Sequence, residues 1–139
     1  MIIGVTKLER YTHDDVLYAI VVKGKEQLKG MNFITPNDFP LQFGINIYKP
    51  NDSCKPHIHI PCERNIIDAQ EVLHIDTGLV DIDLYDSKEQ KFATVRLEGG
   101  DSIFLVAGGH GLRFVKETKI IEVKQGPYMG READKRFID

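Results

Sequence analysis

From His13 onward the apolar residues fall in short runs, cut by Gly, Pro, Asn and Asp, and no sustained 3.6-residue period appears between the cuts. The runs at 16–22, 31–35, 41–49, 56–60, 71–78, 79–87, 93–98, 102–107, 111–117 and 119–126 have strand composition, and their close turn spacing predicts an all-β sandwich or small barrel. Within LQFGINIYK, alternation puts Leu41, Phe43, Ile45 and Ile47 on one face and Gln42, Gly44, Asn46 and Tyr48 on the other. The first face reads as core. The second reads either as solvent-facing or as the lining of a cavity where small residues leave room for a ligand.

The breaks carry turn chemistry. Pro50-Asn51-Asp52 presets a tight reversal, and the glycine pairs 99–100 and 108–109 admit positive φ. The closing READKRFID is charged and suits a short helix or a tail. Composition adds little beyond a globular class: 139 residues fit one domain, and 42% hydrophobic with 28% charged is neither disordered nor fibrous. A net charge of -3 supplies no basic field for phosphate backbones, so no nucleic-acid partner is expected. The longest apolar run, VLYAIVV, is too short to span a bilayer, so no membrane partner and a cytoplasmic location are expected. Cys54 and Cys62 match neither a redox pair nor a four-thiolate zinc pattern and read as free thiols in a reducing compartment.

The chemistry concentrates in KPHIHIPCERNIIDAQEVLHIDTG, residues 55–78. On a strand, His57 and His59 project to one side about 7 Å apart, and two such imidazoles converge on one ion at about 2.1 Å each. By themselves such pairs also arise by chance on solvated strands. Glu71 opens a later run and His110 follows the glycine pair, so three histidines and a carboxylate are on offer. Such a donor set leaves open positions on Zn, Fe, Mn, Co, Ni or Cu. His74 has the opposite parity to Glu71 and faces away; His13 belongs to a turn; Asp81 and Asp83 mark a solvated strand face. Phosphate-cradling glycine loops and nucleophile elbows are absent from the sequence.

These residues resemble the two motifs of the cupins, double-stranded β-helix proteins. His57-x-His59 and Glu71, followed after six residues by Gly78, match the first motif, and GGDSIFLVAGGHG, residues 99–111, is similar to the second, with His110 as its histidine. The eleven residues between His59 and Glu71 exceed the usual short interval, which makes Glu63 a rival ligand. Val106 stands where many cupins have proline, and one residue fewer separates Gly108 from His110. The segment 120–135 resembles the closing part of small cupins linked with polysaccharide and sugar-nucleotide pathways. The resemblance runs from about Leu41 to the end.

It implies a double-stranded β-helix (jelly-roll barrel) over 41–139, with 1–40 an N-terminal extension of additional strands that packs on the barrel or exchanges with a second copy. It implies one divalent transition metal held by His57, His59, Glu71 and His110, a small sugar-like or organic-acid ligand, and a homodimer. The activity expected is of the isomerase, epimerase or dioxygenase type, with Glu63 as general base and Gln42, Tyr48, Arg64 and Arg113 orienting the ligand. A non-catalytic sugar- or metal-binding accessory or sensor is the alternative, and a metal-free acid–base epimerase is the third reading.

Overall fold

The computed structural model describes residues 8–26 and 28–139. Among them lie ten strands: β1 (Glu9–His13), β2 (Val16–Val22), β3 (Met31–Phe33), β4 (Gly44–Asn46), β5 (Glu71–Thr77), β6 (Leu79–Tyr85), β7 (Lys91–Glu98), β8 (Ser102–Leu105), β9 (Gly109–Phe114) and β10 (Lys119–Lys124). One helical turn follows, α1 (Arg131–Asp134). The chain is all-β, and every strand pairing is antiparallel. No helix among the described residues is long and apolar enough to cross a membrane.

Two sheets face each other. The larger has the order β1-β2-β8-β5-β10 and the smaller β7-β6-β9. Their inner faces meet in one core: Ala19, Leu73 and Ile103 from the larger sheet pack with Val80, Ile82 and Leu97 from the smaller. Strict alternation sorts β5, where Glu71, Leu73 and Ile75 point inward and Val72 and His74 outward. From β5 onward the chain moves repeatedly between sheets, and glycine makes two of the corners possible. Gly78 ends β5 at φ 112°, and a Cβ there would stand 2.5 Å from the Glu117 carbonyl oxygen. Gly108, at φ 72°, turns the chain from β8 into β9, and a Cβ there would run into the Tyr85 carbonyl oxygen.

The outer face of the larger sheet is covered by a second layer. Phe39 and Phe43 stack on Phe104 with centroids 6.1 and 5.9 Å apart, and Ile34 and Leu41 join the same cluster. The alternation in LQFGINIYK therefore holds for Leu41, Phe43 and Ile45, which are half-buried, while Ile47 is exposed. Only Gly44–Asn46 pairs, with β3. The face carrying Gln42, Gly44, Asn46 and Tyr48 is the exposed one, so here the solvent reading prevails over the cavity lining.

The expected strand at 56–60 is corrected. From residue 47 to 69 the chain forms no strand and, save for the half-buried Ile66, stands exposed, with Ile58 at 89%, Ile60 at 83% and Ile67 at 89%. Alternation gives such a segment two faces, but a strand also needs a neighbouring edge to take its backbone hydrogen bonds, and among the described residues 56–60 meets none.

Candidate functional site

Glu71 and His110 meet at one end of the two facing sheets. Glu71 begins β5 on its inward face and is 7% exposed. His110 sits on β9 opposite Leu84 of β6, and since directly opposed residues share a face, its imidazole points inward with the buried Leu84. Nε2 of His110 lies 2.8 Å from Oε1 of Glu71, joining the two sheets across the core.

The last strand adds charge to this end. Register with β5 puts Glu122 opposite Leu73 and Lys124 opposite Glu71, so both face inward while Ile121 and Val123 are exposed on the outer side. That inverts the usual partition for an amphipathic strand. Burial opposes ionisation of Glu71, but hydrogen bonds with His110 and Glu122 and the charges of His110 and Lys124 outweigh it, holding its carboxyl below its ordinary value. The Glu122 carboxyl is raised, first by its hydrogen bond to Glu71, then by burial and the Glu71 charge. The contact thus pushes the two carboxyl pKa values apart, Glu71 down and Glu122 up. Nζ of Lys124 lies 3.2 Å from Oδ2 of Asp134 in α1, which raises the ammonium pKa, and stands 5.5 Å from the ring centroid of Tyr128.

Two further supports hold His110 in place. On the outer face of β9, Arg113 donates to both carboxylate oxygens of Asp83 at 2.8 and 3.0 Å, tying β9 to β6. On the same face the C-terminal segment reaches back: Ile138 fills the space that a side chain at Gly109 would need, and Arg136 pairs with Glu89. Beside the Glu71 end, Gln70 accepts from the Leu41 amide, donates to the Val106 carbonyl and accepts the Gln125 amide on its own carbonyl. It fixes the chain at the edge of a cleft of about 510 Å³ between residues 38–40, 68–70 and 106–108.

Of the four residues singled out as metal ligands, the structure joins Glu71 and His110. It places His57 and His59 on the exposed segment, their ring centroids 5.2 Å apart, with His57 Nδ1 turned to the Lys55 carbonyl. Glu63, Arg64 and Tyr48 lie on that segment too; Arg64 donates to the Cys62 carbonyl, and the Tyr48 hydroxyl is 3.6 Å from the Cys54 sulfur. Both cysteines are free. Gln42 donates to the Pro36 and Phe39 carbonyls and staples a turn. Arg113 faces away from Glu71, as its odd spacing from His110 requires. His74 also faces outward, Nδ1 against Ser102 Oγ at 2.8 Å.

The described residues contain one group of three ligand-type side chains within 4.8 Å of one another, His13, Asp14 and Asp86. His13 ends β1 and stacks on Phe92. Oδ1 of Asp86 accepts the amides of Lys88 and Gln90, and Oδ2 faces His13 at 3.5 Å. Hydrogen bonding from Gln90 is the largest influence on this carboxyl and lowers its pKa. Asp86 closes the β6–β7 turn and faces His13 at the β1–β2 turn, a link the separated positions in the sequence do not announce. Comparisons with protein-family models, curated proteins and solved structures return no match.

Proposed function

We propose that this chain is a cupin-type metalloprotein that binds one divalent transition metal at the end of its barrel and uses it on a small oxygen-rich ligand, a sugar derivative or an organic acid. The observation that carries the reading is the Glu71–His110 pair, two donors from facing sheets held 2.8 Å apart. Two donors on one ion at about 2.1 Å each lie roughly 3 Å apart, so the pair suits adjacent positions around a metal. The repeated passage of the chain between two antiparallel sheets supports the jelly-roll reading.

Glu71 and His110 would hold the ion with His57 and His59, and a bound ion would polarise a ligand carbonyl or hydroxyl as a Lewis acid. Around it, Glu122 stands at the rim with its carboxyl pKa raised, which suits acid–base work, Lys124 adds a positive charge, and the apolar core beneath excludes water from the far side. Proton movement at a carbon next to a carbonyl, as in isomerisation or epimerisation, is the reaction class this set serves.

Metal content tests the proposal. Elemental analysis after purification and calorimetric titration with Zn, Mn, Co and Ni are expected to give close to one ion per chain, lost in Glu71→Gln and His110→Ala. A wild type that takes up none of the four refutes the metal reading. The Glu71–Glu122 carboxyl pair beside a histidine, its pKa values pushed apart, favours a second reading, acid–base catalysis without metal, and turnover of a sugar-nucleotide and keto-acid panel that survives chelation selects it. Ligand binding with no turnover under either condition selects the accessory module.

A further inference from the structure

We infer that the segment 47–69 is an exchange arm: residues 56–60 of one copy pair with the open edge of β9 in a second copy, so that His57 and His59 of one chain complete the site begun by Glu71 and His110 of the other. The completion of the site rests on the metal reading above; the exchange of the arm does not.

The arm has the form of an element whose acceptor lies elsewhere. Beyond the Ile47 amide, which reaches the Gly30 carbonyl at the root of the arm, its hydrogen bonds are local, such as the Asp52 amide to the Lys49 carbonyl, and Ile58, Ile60 and Ile67 are more than four-fifths exposed. Isolated apolar residues on a surface are ordinary, but three on one extended segment mark a segment meant to be covered. Both ends are anchored: β4 pairs with β3, and Gln70 is held by Leu41, Val106 and Gln125. Between the anchors, half of the 23-residue arm reaches roughly 35 Å when extended, beyond the radius of gyration of about 14 Å expected for a domain of this size.

The acceptor is visible in the smaller sheet. β9 pairs with β6 on one side, and its other edge carries no strand among the described residues. Of the free edges, it is the one beside His110. A strand laid there with His57 and His59 inward brings imidazoles next to His110, because opposed residues on neighbouring strands stand about 5 Å apart. The opposite parity turns Ile58 and Ile60 to the outer face of β9. There the space over Gly111 is empty and Phe137, 70% exposed, lies beside Ile138 in the tail. The isoleucines of the arm would lie over Gly111, between Ile138 at Gly109 and the Arg113 side chain, and pairing would also cap an exposed sheet edge.

Sedimentation equilibrium at micromolar concentration is expected to show a dimer for the wild type and a monomer for Ile58→Lys with Ile60→Lys. Since both side chains are solvent-exposed in the single chain, the double variant should keep the wild-type circular dichroism. A monomeric wild type, or a double variant that stays dimeric, overturns the exchange whatever the protein does with metal. The second measurement mixes two inactive partners, His57→Ala with His59→Ala and Glu71→Gln with His110→Ala, unfolded and refolded together. Exchange restores one site in each mixed dimer, about one quarter of the wild-type metal content for random pairing. A mixture without metal, from a wild type that binds it, shows that each arm serves its own chain and overturns the inference.

Discussion

Replacing Glu71 by leucine is expected to stabilise the fold while destroying the site. The carboxylate is 7% exposed and shares its strand face with the buried Leu73 and Ile75, so a leucine of similar volume extends an existing apolar row. Burying that side chain contributes about 1.5–3 kcal/mol, against hydrogen bonds to a charged group worth about 1.5–3 kcal/mol, while the desolvation cost of the carboxylate disappears. His110 is not stranded by the change: its side chain is 33% exposed and can bind water. The balance favours the variant by about 1 kcal/mol, at the low end of the range for replacing buried ionic groups by hydrophobic ones. For a chain of this length that raises the Tm by roughly 3–5 °C. The assay is thermal and guanidinium unfolding at neutral pH after chelation, since bound metal would stabilise only the wild type. The folded state favours ionised Glu71, so the wild type loses that contribution as pH falls below the ordinary carboxylate range, and the gap should widen in acid. A Tm several degrees below wild type refutes the reasoning, because it makes Glu71 a structural tie between the sheets.

Two other substitutions examine what positions His110. Asp83 is held far below the ordinary carboxyl pKa, first by its hydrogen bonds from Arg113 and then by that from Thr94. Its contribution is present above the unfolded pKa and lost as pH falls, so Asp83→Asn should flatten the acid limb of stability between about pH 5 and pH 2, read from urea midpoints; an unchanged limb refutes the role. Gly108→Ala forces a side chain into positive φ against the Tyr85 carbonyl and should cost about 2–5 kcal/mol, seen as a lower denaturation midpoint, and a neutral outcome means that the turn adapts.

Much of this arrangement is legible in single residues of the sequence. Parity along EVLHIDT separates Glu71 from His74, and the structure keeps them on opposite faces. The same rule separates Arg113 from His110, since three steps along a strand reverse the face; the arginine serves β9 from behind. Parity fails where the pairing partner decides. In KIIEVK either Ile121 and Val123 or Glu122 and Lys124 can face inward, and only the register with β5 selects the charged pair. The 56–60 segment shows the same limit: its alternation describes a strand, and its structure depends on an edge that local sequence does not name. Asp134 enters the site through a tail contact for which there is no motif.

The contact between Gly109 and Ile138 constrains how such a sequence can change over generations. A side chain can be admitted at 109 only where Ile138 gives way, and Gly109 is the residue before the histidine. Substitutions at the two positions should therefore be inherited in matched pairs, so that the tail, remote in sequence, drifts in step with the motif it backs.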